Sequence, residues 1–174
     1  MSALDAVNAV CDRLKTVPGV GPNVYNMLRE AKTDAEFQAL FIDAVTDPAN
    51  KIIRAWRVTR TATQGRDEVM NAMSRTHTVE ISGFRSYHDG VSEPEFQGVI
   101  EAISDAFDPL GENGSAVRRF VSAQYPQGQF DWSGPLQIMG PRLGTLGSAL
   151  VHAVIINCPG TCASARARLR CKRW

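Results

Sequence analysis

Apolar residues recur every three or four positions in three segments of the chain, which predicts three amphipathic helices. The first segment starts at Ser2, a candidate N-cap, and stops before residues 17–22, where prolines and glycines break regular structure. Its apolar stripe consists of Leu4, Val7, Val10, Cys11 and Leu14.

Capping boxes mark the start of the other two helices. Thr33-Asp34-Ala35-Glu36 precedes the second apolar stripe, and Asp47-Pro48 ends that segment. Ser92-Glu93-Pro94-Glu95 precedes the third stripe, and Asp108-Pro109 ends it. The second stripe contains Phe37, Leu40, Phe41 and Val45, and the third contains Phe96, Val99, Ile100, Ile103 and Phe107.

Between the second and third helices the apolar period changes from that of a helix to that of a strand. Trp56 and Val58 alternate with polar residues, which predicts a strand over about 51–61. Residues 76–84 alternate again, and a half-buried strand there would place His77, Val79 and Ile81 on one face and Thr78, Glu80 and Ser82 on the other. Two closing strands are predicted at 136–139 and 149–157, joined by the glycine-rich segment 140–147.

The segment 62–75 between the first two strands is polar apart from Val69, Met70 and Met73. We predict that the strands pair through this long hairpin, between Trp56 and Phe84. Docking on a neighbouring subunit would offset the conformational entropy that a free hairpin of this length costs, whereas a disordered surface loop is the alternative. The predicted interface residues are Arg60, Arg66, Asp67, Glu68, Val69, Met70, Met73 and Arg75.

These elements predict an α+β fold, with an antiparallel sheet of about four strands, a long hairpin, and helices packed mainly on one face. Residues 1–157 would form a single domain and residues 158–174 a basic tail rich in cysteine and arginine. No pattern places residues 110–134 in an element.

Composition favours an ordinary soluble domain. The chain has 174 residues, of which 44% are hydrophobic and 21% charged, and its longest apolar runs are too short to span a membrane. The N-terminus lacks the pattern of a secretory signal, so we expect synthesis in the cytoplasm.

The net charge is +1, and five of the 19 Lys and Arg residues follow Cys158. This basic tail suits contact with nucleic acid or an acidic neighbour, or else is a solvated terminus.

Common catalytic and cofactor motifs are absent from the sequence, so we predict no catalytic residues, no cofactor and no metal. His77 and His152 lie in predicted strands as packed residues. His88 and Asp89 could form an acid–base pair, although a turn is the simpler interpretation. The spacing of Cys158, Cys162 and Cys171 fits no common zinc site.

Residues 14–28 offer an alternative function. The glycine-containing turn 17–22, followed by Val24, Met27 and Leu28, resembles a helix-hairpin-helix element that binds DNA phosphates through backbone N–H groups. Tyr25 stands where that element usually has a small residue, and few basic residues flank it. A simple loop leaving the first helix is the alternative.

A longer block resembles a known family. Residues 52–60, 75–84 and 92–107 are similar to the tail terminator (tail completion) proteins of long-tailed bacteriophages and prophages. That family has a W-x-[IV]-x-R strand, an arginine-containing hairpin, an R-x-H-x-[FV] strand and an S-E-x-x-F helix. The segment 111–134 and the tail after Cys158 depart from this pattern.

The resemblance implies a virion structural protein that acts without a cofactor. It would be assembled in the host cytoplasm and would reside in the tail or neck of the particle. It would form a hexameric ring that caps the tail tube protein, faces the head–tail connector or neck proteins, and lets DNA pass through its lumen. A neck or head-completion protein of the same virion is the alternative.

Overall fold

The computed structural model describes residues 3–44, 52–68, 72–88, 90–107, 119–122, 125–132 and 135–163. The helices within these residues are α1 (Ala3–Lys15), α2 (Asp34–Phe41) and α3 (Ser92–Phe107). The strands are β1 (Val24–Tyr25), β2 (Arg54–Glu68), β3 (Ala72–Ser86), β4 (Arg119–Ser122), β5 (Tyr125–Trp132), β6 (Gln137–Leu146) and β7 (Ala149–Ala163).

The strands of the described residues form one sheet in the order β1-β2-β3-β7-β5-β4, with β6 also paired to β7. All of these pairings are antiparallel except that of the short β1 with β2. β7 pairs with β3 along one side, and on its other side it pairs first with β6 and then with β5. The predicted α+β fold with a mostly antiparallel sheet is confirmed.

α1 and α3 cover one face of the sheet, here called the helix face. Val58, Ile81 and Ile156 lie opposite one another on β2, β3 and β7, and all three are buried in the same core cluster as the inner residues of both helices. The Arg13 side chain links the helices through bonds of 2.9 and 3.2 Å to the Ala106 carbonyl. We call the other side of the sheet the open face.

The helix predictions are largely confirmed. The predicted stripe of α3 is buried along its whole length, from Phe96 to Phe107. The stripe of α1 is buried except for Leu4, which is 58% exposed. Thr33 caps α2 as predicted, because its side chain accepts a bond from the Glu36 backbone N–H.

Two predictions about helix ends were wrong. α2 ends at Phe41, well before Pro48, because Ile42 forms a bridge with Ile53 and so begins extended backbone. The second capping box does not form, since Ser92 is already helical. Its hydroxyl bonds the backbone of His88 and the ring of His152, while the carboxylate of Glu95 pairs with Arg85.

The strands are longer than the pattern predicted. Residues 62–68 and 72–75, predicted as the connection of the hairpin, continue β2 and β3 as a paired ribbon. The segment 140–147 is mostly strand, because β6 continues past a register shift between Met139 and Arg142. β7 extends beyond Asn157 to Ala163, and β4 and β5 lie within the stretch 110–134 that the pattern left without elements.

Candidate assembly surface

The predicted hairpin between Trp56 and Phe84 exists and is paired throughout its described length. β2 and β3 are each 15 residues long and pair from Arg54↔Arg85 to Glu68↔Ala72. The register shifts once, between Arg60 and Ala62. The hairpin is therefore a long β-ribbon rather than a free loop, and the entropic cost of ordering it is met within the subunit.

The predicted interface residues fall into two groups along this ribbon. Arg60 is exposed and lies at the register shift. The backbones of the second group are brought together near the tip, where Gly65 pairs with Arg75, Arg66 with Ser74, and Asp67 with Met73. Glu68 ends β2 opposite Ala72, and Val69 and Met70 lie outside the described residues.

The outer edge of β2 is open along most of its length. β1 pairs only with Trp56 and Arg57, so residues 58–68 have no neighbouring strand on that side within the described chain. Unpaired backbone N–H and C=O groups at such an edge can bond a strand of another chain. This edge is available for contact with another chain. The sequence prediction named side chains of the hairpin as the interface and did not identify the backbone edge.

The root of the hairpin is held firmly. The Trp56 ring is buried against Phe96 of α3, with centroids 5.9 Å apart, and its Nε1–H donates to the Val20 carbonyl at 3.0 Å. The Ile53 N–H donates to Ser86 Oγ at 2.7 Å, which closes the base of the ribbon. The ribbon therefore extends from a fixed base.

Charged and polar side chains line the open face next to this root. Arg57 lies 3.6 Å from the Glu80 carboxylate and donates to Ser82 Oγ at 3.1 Å. Ser82 in turn donates to Glu80 at 3.0 Å. A polar network on a sheet face suits contact with water or with a partner that forms hydrogen bonds.

A small cavity of about 100 Å³ lies beside this network on the open face. Apolar side chains form most of its wall, and Arg29 and Arg57 also border it. Met27 is 50% exposed and Leu28 is 71% exposed at its mouth. We call this feature the open-face cavity; its other lining residues are Tyr25, Phe41, Ala55, Trp56, Phe84 and Leu146.

The helix-hairpin-helix alternative is contradicted, and a loop leaving α1 forms instead. The turn 17–22 is present, with φ of +82° at Gly19 and +80° at Gly21, but the chain then forms β1 instead of a second helix. Val24 pairs with Trp56, and Val20 is fully buried beneath the Trp56 indole. Val17 and Val20 anchor the turn in the core, and the helix whose N-terminus would meet a phosphate does not follow it.

Two of the three histidines are packed inside the protein, and the third, His88, lies at the turn before α3. His77 and His152 are each 3% exposed, and their rings bond Thr63 and Ser92 at 2.9 Å. Ser92 Oγ already donates to the His88 carbonyl at 2.7 Å, so it has no proton left to give to His152. His88 is exposed, and Asp89, its suggested acid–base partner, lies outside the described residues.

Two cysteines belong to the core. Burial raises the pKa of both the Cys11 and the Cys158 thiol to about 12, so both thiols are protonated at neutral pH. No group of three or more His, Cys, Asp or Glu side chains that could hold a metal ion occurs within the described ranges. The side chain of Cys162 and all of Cys171 lie outside what the structure describes. The described helices include none that is long and apolar enough to cross a membrane.

Sequence reasoning missed the apolar part of this surface. Met27 and Leu28 were considered only as part of a helix-hairpin-helix element. Leu143, which is 56% exposed, lies in the glycine-rich connection 140–147, and Leu150, which is 47% exposed, lies in the predicted strand 149–157. The one available signal was β6, whose apolar residues occur at both odd and even positions.

Comparisons with known proteins include a weak structural similarity. No model of a known protein family matches this chain, and no curated protein matches it. The fold is similar to a chain in a solved structure titled "Virion of native gene transfer agent (GTA) particle". The similarity covers 93% of this chain and 97% of that one, with 14% sequence identity and a TM-score of 0.41.

Proposed function

We propose that this protein is a structural component of a phage-like virion and acts as its tail terminator. Copies of the chain form a hexameric ring on the head-proximal end of the tail tube, stop its polymerisation, and present a surface to the head–tail connector. The protein works by shape and contact, without catalysis or a cofactor. DNA passes through the lumen of the ring.

The observation that carries this proposal is the block 52–107. The motifs that resemble tail terminators occupy three consecutive elements, β2, β3 and α3. These elements meet at one place, where Trp56 of β2 packs on Gly83 of β3 and on Phe96 of α3. The residues of the resemblance thus form one packed unit.

The open edge of β2 and the uncovered part of the open face support an assembly role. Soluble proteins usually protect a long edge strand with charge, proline, a bulge or a covering segment. β2 has a register shift and charged residues, which favour a selective contact over uncontrolled strand addition. A ring uses such surfaces heterologously, so that each copy contacts a different surface of the next.

The mass of the purified protein in solution tests the ring. Native mass spectrometry or light scattering should give a closed oligomer, either for the protein alone or after addition of the tail tube protein of the same phage or prophage. A monomer in both settings would refute ring formation.

The length of tails made without this protein tests termination. A deletion in the phage or prophage should give overlong tails in electron micrographs, and a plasmid copy should restore the normal length. Tails of normal length that lack heads would instead assign the protein to head completion or to the neck.

A further inference from the structure

β6 has the sequence pattern of a strand covered on both faces, yet it is exposed. Ile138 and Leu143 lie opposite Ile156 and His152 on the helix face, whereas Met139 lies opposite Ile155 on the open face. These three β6 side chains are 40%, 56% and 43% exposed, respectively. A strand with one solvated face normally alternates apolar and polar residues. The exposed apolar residues of β6 therefore favour a contact with something outside the described chain.

The apolar surface on the helix face extends from β6 to the start of α3. Leu143 and Leu150 lie diagonally across the β6–β7 ladder, within side-chain reach of each other. Val91, which is 57% exposed, precedes Ser92, and Ser92 bonds His152, the residue paired with Leu143. We call Val91, Leu143 and Leu150 the Val91 patch.

Carboxylates border the Val91 patch. Glu93 and Glu95 lie in the first turn of α3, directly after Val91, and both are exposed. Glu95 is paired with Arg85, whose side chain is 9% exposed, so Glu93 supplies the negative charge of this rim.

The open-face cavity has the opposite character on the other side of the sheet. Its walls are apolar, and Met27 and Leu28 stand exposed at its mouth. Arg29 supplies the positive charge of its rim, since Arg57 is paired with Glu80. Leu146 of β6 lines this cavity, so the β6–β7 hairpin takes part in both surfaces.

We propose that the Val91 patch of one copy docks on the open-face cavity of the next copy. Both surfaces are apolar at the centre, and their rims have opposite charges, which favours this pairing over contact of either surface with itself. A head-to-tail ring requires two different surfaces on each copy. The two surfaces here lie on opposite faces of one sheet, so each copy can have one neighbour on each face. This inference rests on the proposed function, because it assigns one of the contacts between neighbouring copies in the ring.

Two variants that each remove one side of the contact test the proposal. Leu28→Asp places a charge at the cavity mouth, and Leu143→Asp places one in the Val91 patch; both positions are exposed, so the fold should survive. Each variant alone should lose the ring and remain monomeric. Leu4→Asp is the matched control, because Leu4 is 58% exposed on α1, outside both surfaces, and this variant should still form the ring.

Mixing the two variants gives the sharper result. The Leu28→Asp protein keeps its Val91 patch and the Leu143→Asp protein keeps its cavity, so an equimolar mixture should form a dimer of one copy of each and stop there. Native mass spectrometry identifies that dimer. Circular dichroism checks that both variants are folded.

The outcomes separate this inference from the proposed function. A wild-type protein that is monomeric alone and with the tail tube protein refutes the ring and this contact together. A wild-type ring that persists in folded Leu28→Asp or Leu143→Asp protein refutes only the contact. Two folded monomeric variants that do not combine also refute the head-to-tail pairing, while the ring stands.

Discussion

Trp56 connects three parts of the molecule through a single side chain. Its ring is 1% exposed, lies on Gly83 of the neighbouring strand and packs against Phe96 of α3, while its indole N–H holds the loop at Val20. Large aromatic side chains of this kind contribute much of the apolar area that stabilises a core. The absence of a side chain at Gly83 makes room for the ring.

Substitution of Gly83 tests that role. A Cβ at this position would lie under 3.0 Å from three ring carbons of Trp56, so Gly83→Ala must displace the indole. We expect the free energy of unfolding to fall by about 1–3 kcal/mol, the usual cost of overpacking a core. Urea denaturation measures the change.

Gly98 offers the control for the same exchange. A Cβ there would meet nothing within 4 Å, and the position is helical, so Gly98→Ala should raise the free energy of unfolding by up to about 1 kcal/mol. Equal stability of the two variants would contradict the proposed packing of Trp56 on Gly83.

The buried thiol of Cys158 gives a prediction about pH. Burial raises its pKa from 9.0 to about 12, so the folded state binds the thiol proton more tightly than the unfolded state. The resulting stabilisation is complete below pH 9 and is lost as the pH rises toward 12. Between these limits one such thiol lowers the free energy of unfolding by at most about 1.4 kcal/mol per pH unit.

Comparison with Cys158→Ala isolates this effect. The variant should be less stable at pH 7 because it leaves a cavity, but its stability should fall less steeply than that of the wild type between pH 9 and 11. Denaturant titrations at several pH values provide both slopes. Parallel slopes would show that Cys158 does not ionise on unfolding in this range.

At the scale of elements, the β2–β3 ribbon is the feature whose interpretation changed most. The pattern predicted strands only up to residue 61 and from residue 76, joined by a long polar hairpin over 62–75, but β2 and β3 pair through most of that stretch. The polar ribbon is stable here because β2 and β3 bond each other along their inner edges, and β7 bonds the other edge of β3 from Arg75 onward. The case for assembly therefore moves from the entropy of a loop to the open edge of a strand.

Shortening the ribbon tests its role in assembly. Replacing residues 65–75 with Asn-Gly would join Gln64 to Thr76, which already form a cross-strand pair, through a two-residue turn. The core residues Trp56, Val58 and Val79 remain, so we expect a folded protein that no longer forms a ring or terminates tails. Circular dichroism and native mass spectrometry measure folding and assembly.

A shortened protein that still assembles and terminates tails would refute a role for the hairpin tip. The contact between the Val91 patch and the open-face cavity would be unaffected, because both surfaces lie outside residues 65–75. The two parts of the candidate surface can therefore be tested separately.

At the scale of the whole molecule, assembly should appear in thermal stability. A ring forms from folded copies only, so a higher protein concentration favours the folded state and raises the apparent Tm. We expect the Tm of the wild type to increase when the protein concentration is raised tenfold. The Tm of the Leu28→Asp variant should be independent of concentration, and a concentration-independent wild type would argue against the ring.

The sequence by itself determined the elements that bury one face locally. Burial of a single face imposes a period on neighbouring residues. The sequence therefore predicted the stripe of α3, the alternation from His77 to Ser82, and the pairing of the strands around Trp56 and Phe84. The resemblance of residues 52–107 to tail terminators depends on the same stretch.

Only the tertiary structure decided the rest, because the interactions involved join residues far apart in the chain. Three features depend on partner strands: β2 and β3 continue into the polar ribbon, residues 140–146 form most of β6, and β1 follows Gly21. The hydroxyl of Ser92 bonds His152, 60 residues away, instead of capping its own helix. The open-face cavity likewise combines side chains from separate elements, so no local pattern records it.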